Sequence, residues 1–543
     1  GIAAALAPRG MFPRVDPARS AGRALWEWSA VGGPTIQAAY RVDGLGAIAV
    51  AVCIAYAGAA LATAARADDR HPALPAVILA LGLVSVALVV TDDLIAATVP
   101  LGVLASLSVL ALLAVAPPAA TARAAAFMAI GLQAWVLAAL LISRRGSASF
   151  QLGAIPPSAV VPEAILAATI GGLLFAGLYP FVAWSFEGKG ASGPGPLGGL
   201  LLMPIGIGSS VLLLRLLGAA RTEVTRLGLP ELPFELRLAL AVLVLVGVAV
   251  ALVRGGRVPR RPIAIGLALL ALIAAEPAMR WSHLVLLATI LTVFYAAAVS
   301  LALPDHWEAV RSDLALVALW SAIATGSSLA IAGATFILVA RATSALAGAA
   351  WMVPHREYVA LVVASTLVAA GCAALAVGAL GVPDATVAAL GALAAVLLLA
   401  LELAQVARRF RVAEVPPDLD VTSALAAFLA TLLAAAVLAV PLAAVVRDQL
   451  TDEAIASPLL VVGIAVAGTL LVVLARTVRP ILPYVELAAG RSRPAISALD
   501  PVPLGVGTFR AIEIGAGRAS VAFGLFEQRA GVAEAEAARA LSV

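Results

Sequence analysis

Charged side chains inside apolar stretches are the residues of this chain that could do chemistry. They are Arg215, Glu276, Arg341 and Glu402. A charge at the centre of a lipid bilayer costs about 2.5–3.5 kcal/mol on insertion scales, so such residues pair, reach water or carry ions. The four residues are therefore candidates for an ion pathway.

The place of each candidate in its stretch decides which role we expect. Arg215 and Glu276 lie near predicted helix ends, where a long side chain can snorkel to the membrane surface. Glu402 comes shortly before Arg408, and we favour an interfacial ion pair over a proton relay. Arg341 ends a long uncharged stretch. We expect a buried pairing partner for it, with snorkelling as the alternative.

No other pattern in the sequence indicates chemistry. The four histidines stand far apart, without the spacing of metal ligands. Cys53 and Cys372 lie in separate apolar stretches, and we expect both to be buried small hydrophobic residues. Because we expect no strands, no glycine-rich phosphate loop can follow one. The sequence therefore predicts no catalytic chemistry, no metal site and no cofactor in this chain.

The composition predicts that membrane helices hold these residues. Of 543 residues, 63% are hydrophobic and 12% are charged, and the mean hydropathy is +1.06. Soluble domains carry about 25% charged residues. Apolar runs of about 20 residues recur, which is the length that a helix needs to cross a bilayer. These features predict an all-α polytopic membrane protein and exclude a soluble enzyme, a nucleic-acid binder, a disordered scaffold and an outer-membrane barrel.

The chain divides into four predicted segments. Residues 1–42 do not span the membrane, and 43–345 form a helical core. Residues 346–476 add further transmembrane helices, and 477–543 form a loop and an amphipathic surface helix. We expect about 14 transmembrane helices in all, at about 20 residues each.

Glycine and proline predict interruptions in two helices. Gly177 and Pro180 predict a break or kink in the helix that contains them, because proline removes a backbone hydrogen bond. The long span 313–341 contains Gly326 and Gly333. A broken helix at membrane depth must be surrounded by protein or water. For this span a broken helix and a continuous one remain alternatives.

The most specific motif covers residues 172–215. It begins GLLFAGLYPFVAW and, after a short loop, continues GPGPLGGLLLMPIGIGSSVLLLR. This segment resembles the antiporter-like membrane subunits shared by complex I, membrane-bound hydrogenases, formate hydrogenlyases and multi-subunit sodium/proton antiporters. The matching positions that we assign as structural motif residues are Gly177, Pro180, Trp184, Pro194 and Pro196. Weaker similarity extends over roughly residues 40–345, which implies the antiporter-like fold for this core.

The sequence departs from that family where the family carries protons. The resemblance implies a buried glutamate and a row of buried lysines or histidines, whose charges can switch when a neighbour switches. Those positions hold apolar residues here, namely Gly102, Phe175, Ile207 and Leu287. A last position keeps a cation, Arg341, but arginine does not release its proton in proteins. Lys189 is the one lysine of the chain, so no small shift of alignment restores the relay.

The resemblance implies a membrane-arm subunit of a complex-I-like, proton-translocating oxidoreductase, of the NADH–quinone oxidoreductase, hydrogenase or formate hydrogenlyase type. It implies other membrane subunits as partners, iron–sulfur and redox subunits elsewhere in the assembly, and a multi-pass location in the inner (cytoplasmic) membrane. Because the relay residues are missing, we expect a structural, non-pumping member. Two alternatives stay open: the membrane subunit of an inorganic-carbon uptake complex, and a stand-alone secondary transporter.

Overall fold

A computed structural model shows a bundle of apolar helices and, at the N-terminal side of the sequence, a short β-hairpin. It describes residues 23–29, 35–41, 44–65, 72–115, 118–145, 147, 149–178, 197–220, 280–302, 307–350 and 354–412. Within these ranges, seven helices are long and apolar enough to cross a membrane, and four shorter apolar helices accompany them. The predicted class, a helical polytopic membrane protein, is confirmed.

The described helices follow directly from the apolar runs of the sequence. In chain order they are α1 (Gly44–Ala64), α2 (Leu74–Val90), α3 (Leu94–Val115), α4 (Pro118–Arg144), α5 (Pro162–Ala176), α6 (Leu197–Ala220), α7 (Trp281–Ala302), α8 (Trp307–Thr325), α9 (Ser328–Ala350), α10 (Pro354–Leu380) and α11 (Ala385–Val412). A short 3-10 turn, Pro157–Ala159, precedes α5. Most of these helices are apolar all round, as expected for helices surrounded by lipid and by other helices.

The expectation of a chain without strands is wrong at the N-terminal side. Strands β1 (Arg23–Ser29) and β2 (Thr35–Tyr40) form an antiparallel hairpin. Isolated bridges then join Tyr40 to Thr91 and Asp93 to Gln151. The two strands are short, and their sequences do not show the alternating apolar pattern that predicts a strand. The hairpin joins the α2–α3 and α4–α5 connections into one small β-structured cap.

Two helices form the centre of the described bundle. Helix α6 packs against α1, α2, α3, α5 and α8, and its residues 197–217 are all buried. Helix α8 packs against α6, α7, α9, α10 and α11. By contrast, α3 and α4 bury only a third of their membrane-length windows. A position on α6 or α8 therefore lies inside protein, while α3 and α4 keep broad exposed faces.

Helices α5 and α8 each end at a glycine in the left-handed region. Helix α5 ends at Ala176, and Gly177 follows with φ 62°. Helix α8 ends at Thr325, and Gly326 has φ 66° before α9 begins at Ser328. A side chain with a Cβ rarely adopts these angles, which is why glycine ends both helices. Gly333 lies within α9 and does not interrupt it, so the expected span 313–341 is two helices.

Helices α9 and α10 approach one another closely at glycine positions. A Cβ atom added to Gly333 would lie 2.5 Å from the carbonyl oxygen of Gly371, and one added to Gly371 would lie 2.6 Å from that of Gly333. Small residues at a crossing point let helix backbones pack without a hydrophobic driving force between them. This contact holds α9 against α10 and so helps to position the residues that follow Gly333 on α9, including Arg341.

Several predicted elements lie outside the described residues. They are the transmembrane helices expected within residues 221–279 and 413–476 and the loop and surface helix of 477–543. The total of about 14 transmembrane helices and the four-segment division therefore stay predictions. Helix α9 continues without interruption across position 345, where the second boundary was placed.

Candidate functional site

Two of the predicted charged residues form a single buried ion pair. Arg341 lies on α9 and Glu402 on α11, and Nη2 of Arg341 donates a hydrogen bond to Oε2 of Glu402. Their side chains are 4% and 2% exposed. The expected buried partner of Arg341 is thus Glu402, and neither side chain snorkels to the surface.

The ion pair lies toward the ends of two membrane-length spans. Arg341 is five residues before the end of the span Leu329–Leu346, and Glu402 is one residue before the end of the span Ala385–Leu403. Within the described residues, Nε and Nη1 of Arg341 and Oε1 of Glu402 are buried without a hydrogen-bond partner. The thiol of Cys372 on α10 lies close enough to interact with both charges. Three helices therefore meet around one incompletely satisfied pair.

The chemistry open to this pair is limited by the arginine. A guanidinium stays protonated at any physiological pH, so it cannot pass a proton on. Without the charge of Glu402, Arg341 would be an unpaired buried charge, which is strongly unfavourable. The arrangement is suited to holding α9 against α11 and is poorly suited to a relay of titratable groups.

Arg215 is buried by a different arrangement, at the ends of several elements. Its side chain on α6 is 4% exposed. Nη1 donates hydrogen bonds to the carbonyl oxygens of Val89 at 2.5 Å and Thr91 at 3.2 Å, and Nη2 donates to that of Arg41 at 3.5 Å. The expectation that Arg215 snorkels to the membrane surface is wrong. The unpaired carbonyls at the end of α2 accept its charge instead, as cations commonly do at helix C-termini.

Two adjacent aspartates complete the cap around Arg215. Asp92 lies 4.0 Å from Nη1 of Arg41 and accepts a hydrogen bond from the amide of Gln151 at 3.3 Å. Asp93 accepts backbone hydrogen bonds from Gln37 at 2.9 Å and from Ala96 at 2.8 Å. Burial raises the pKa of Asp93, although these backbone hydrogen bonds oppose the shift. These contacts link the hairpin to the first turn of α3.

A third charged cluster lies where α7 begins and where α10 and α11 connect. Arg280 donates a hydrogen bond to Oδ2 of Asp384, and Nε2 of His283 lies 3.8 Å from Oδ1 of Asp384. Oδ1 of Asp384 also accepts hydrogen bonds from the backbone of Thr386 at 3.0 Å and Val387 at 3.2 Å. Partial burial would raise the pKa of Asp384, but these N–H groups, Arg280 and His283 outweigh it and lower the pKa.

That cluster was not singled out from the sequence, although a signal was present. Asp384 directly precedes the apolar run of α11, which is the position and residue type of a helix N-cap. What the chain could not reveal was that Arg280 and His283, a hundred residues earlier, lie beside it.

Two of the positions expected to carry protons by resemblance hold buried apolar side chains. Phe175 on α5 and Ile207 on α6 are each 1% exposed and belong to the main hydrophobic core. The Phe175 ring lies against Gly131 of α4. Neutral hydrogen bonds cross the same layer, from Nε1 of Trp320 to Oγ of Ser210 at 2.9 Å. At Phe175 and Ile207, therefore, the core holds no ionisable side chain.

The remaining site predictions divide by whether the structure describes them. Gly177 ends α5, as its motif position predicts. The other motif residues, Pro180, Trp184, Pro194 and Pro196, and the candidate Glu276 lie outside the described residues. In the part of the chain that is described, no group of three metal-ligating side chains comes together. Cys53 and Cys372 are both free and buried, as expected from their apolar surroundings.

Comparison with known proteins decides the fold. No protein-family model and no curated protein match the sequence. The structure is similar to a chain of the Mrp complex from Dietzia sp. DQ12-45-1b, with a TM-score of 0.63 and 17% identity over 93% of this chain. This chain has the antiporter-like membrane-subunit fold. It spans 55% of the length of the Dietzia chain.

A second solved structure aligns with a lower TM-score but over a larger share of its own chain. A chain of respiratory complex I from Thermus thermophilus with bound NADH aligns with a TM-score of 0.41 and 16% identity, over 88% of this chain and 89% of that chain. The assignment of the antiporter-like fold is made on the Dietzia chain.

Proposed function

We propose that this chain is a structural, non-pumping membrane-arm subunit of a complex-I-like, proton-translocating oxidoreductase, of the NADH–quinone oxidoreductase or membrane-bound hydrogenase and formate hydrogenlyase type. Its partners are other membrane subunits, with iron–sulfur and redox subunits elsewhere in the assembly. Its place is the inner (cytoplasmic) membrane. Redox chemistry and proton transfer belong to the partner subunits in this proposal.

One observation carries the non-pumping part of the proposal. The antiporter-like fold is present, but Phe175 and Ile207 fill buried positions where the resemblance implies lysines. A lysine relay works because buried ionisable groups have shifted pKa values and respond to one another's charge. Two packed apolar side chains cannot change charge, so the route is interrupted at two successive helices, α5 and α6.

The buried ion pair supports the same proposal, because the cation that is present is already paired. Arg341 occupies the one relay position at which a cation persists, and its charge is already taken up by Glu402. In this proposal the pair braces α9 against α11, and Arg215 braces α6 against the cap. Both cations are structural supports for a rigid subunit.

The experiment is purification of the native assembly through an affinity tag on this chain, with identification of every co-purifying subunit by mass spectrometry. Iron–sulfur subunits together with flavin or nickel subunits would support the proposal. A large zinc protein would identify an inorganic-carbon uptake complex instead, and recovery of the chain alone would identify a stand-alone transporter.

The non-pumping part needs its own measurement. In vesicles containing the active assembly, Glu402→Gln combined with Arg341→Gln should leave the number of protons moved per turnover unchanged, provided that the complex stays assembled. A lower proton ratio at normal assembly would show that this chain conducts protons.

A second candidate function is favoured by the similarity in fold. The Dietzia chain, at a TM-score of 0.63, is part of an Mrp complex, and multi-subunit sodium/proton antiporters share the resemblance found in residues 172–215. The same purification separates the two candidates. Co-purification of membrane subunits without any redox subunit would favour a multi-subunit antiporter.

A further inference from the structure

A polar side chain lies on the exposed face of α4, in the middle of a membrane span. Gln133 is an exposed residue of the span Ala124–Arg144. It lies about 14 Å from one end of that span and about 17 Å from the other, at 1.5 Å per residue. Within the described part of the chain, no group forms a hydrogen bond or other polar contact with Gln133. Its amide group is therefore exposed midway along the span.

The exposed neighbours of Gln133 form one continuous seam along α4. Residues on this face recur alternately every three and four positions, at Ala122, Ala126, Ala129, Gln133, Val136 and Leu140. All are exposed except the half-buried Ala126. A repeat of this kind is the pattern by which two helices pack side by side in a left-handed crossing. The alanines at one end allow close approach, and Gln133 stands at the centre.

Two other exposed polar residues in the spans already have hydrogen-bond partners within their own helices. The hydroxyl of Ser106 on α3 donates to the carbonyl oxygen of Gly102 at 2.9 Å, and that of Thr343 on α9 donates to that of Val339 at 2.9 Å. The hydroxyl of a serine or threonine can donate a hydrogen bond to a backbone carbonyl oxygen of its own helix. The longer amide of Gln133 makes no such contact, and acyl chains offer it neither donors nor acceptors.

We propose that the seam Ala122–Leu140 of α4 docks a transmembrane helix of another subunit, which presents an amide, hydroxyl or carboxyl group to Gln133. This inference rests on the proposed function, because it requires a multi-subunit assembly. A single polar residue in an apolar seam sets the register between two helices, since only one alignment satisfies its hydrogen bonds. Gln133 is then the residue that determines where along α4 the partner helix sits.

The test is photo-crosslinking in native membranes, with p-benzoylphenylalanine in place of Leu140, which is 59% exposed on the seam. We expect an ultraviolet-dependent adduct with a subunit that also co-purifies through the affinity tag. In the same background, Gln133→Leu should reduce the adduct about tenfold, in line with interhelical hydrogen bonds in membranes. Ser106→Ala is the matched control, since its hydroxyl serves its own helix, and should change the adduct less than twofold.

Each other outcome overturns the inference. An adduct with a differently tagged second copy would identify self-association, and an adduct within the chain would place its own segment 221–279 or 413–543 on the seam. The absence of any protein adduct would identify a lipid-facing surface. An adduct insensitive to Gln133→Leu would exclude the amide as the determinant. If redox subunits co-purify and position 140 forms no adduct with any co-purifying subunit, this inference fails while the proposed function stands. If no subunit co-purifies, both fail.

Discussion

The guanidinium of Arg341 and the carboxylate of Glu402 are 61 positions apart in the chain and lie in direct hydrogen-bonding contact inside the bundle. Each is the only charged residue described within its own membrane-length window, Leu329–Leu346 or Ala385–Leu403. An isolated charge inside a membrane span has a high free-energy cost, and the contact between the two opposite charges offsets part of that cost. The pair therefore specifies which helices must be neighbours.

Removing one partner of this pair should be far more damaging than removing both. We expect Arg341→Leu to cost about 3–5 kcal/mol of stability, because Glu402 is left as an unpaired buried carboxylate. Combining it with Glu402→Leu should restore most of the loss. Thermal unfolding of the detergent-purified chain, with membrane yield as a second readout, measures both variants and their coupling.

Arg144→Leu serves as the control for the loss of an arginine, since Arg144 is exposed at the end of α4. We expect it to stay within about 0.5 kcal/mol of the wild type. The single variants Arg341→Leu and Glu402→Leu are measured beside the double variant. If the stability loss of the double variant equals the sum of the two single losses, the two residues do not act as a pair.

The close crossing of α9 and α10 should not tolerate a methyl group. Gly371→Ala places a Cβ 2.6 Å from the carbonyl oxygen of Gly333, and forced overpacking of this kind costs about 1–3 kcal/mol. Gly58→Ala on α1 is a matched control, because its Cβ would meet only Leu346 Cδ1, at 3.5 Å. Melting temperatures in one detergent decide the point, and equal values for the two variants would contradict the described crossing.

The hydrogen bonds of Arg215 should govern how tightly the cap is held. Arg215→Met removes the donor that serves the carbonyls of Val89 and Thr91, at a cost of about 1–3 kcal/mol for unsatisfied buried groups. We expect hydrogen exchange to become faster at residues 35–41 and 89–93. Arg215→Lys, which keeps the charge but loses the fork of donors, should show an intermediate effect. Unchanged exchange in Arg215→Met would show that the cap is held without Arg215.

Acid should weaken the cluster around Asp384. Because the pKa of Asp384 is lowered in the folded chain, its contribution to stability is present above the unfolded pKa of about 3.9 and is lost as the pH falls through the folded value. The difference in melting temperature between wild type and Asp384→Asn should therefore be constant near neutral pH and shrink below about pH 4. Scans from pH 3 to 7 test this. A difference that grows on acidification would have the wrong sign.

Local patterns predicted the elements well, because a membrane helix needs little more than a long apolar run. The glycines that end helices were also visible in the sequence, as Gly177 and Gly326 show, because their backbone angles exclude most other residues. For the long span a broken and a continuous helix were alternatives, and the break occurs at Gly326, while Gly333 lies inside a continuous helix. Gly333 serves a helix crossing, and its partner Gly371 lies on another helix.

The relations between elements were less accessible. Arg341 and Glu402 each stand out as a charge in an apolar segment. Nothing in either segment indicates that the two residues form a pair. The hairpin is not predicted because its two strands are short, and they pair with each other without an alternating apolar pattern in the sequence. Arg215 was misassigned because its position near a helix end fits snorkelling as well as burial. The carbonyls that receive it belong to elements more than a hundred residues earlier.

The contact between Arg215 and Arg41 sets an order of events during synthesis. The two residues are 174 positions apart, and a ribosome adds about 5–20 residues each second. The N-terminal hairpin thus emerges roughly 9–35 s before the arginine that anchors it. Through that interval α1 to α5 must enter the membrane while the cap is incomplete. During that interval the hairpin lacks this anchoring contact, and unpaired strand edges are places where another chain can pair.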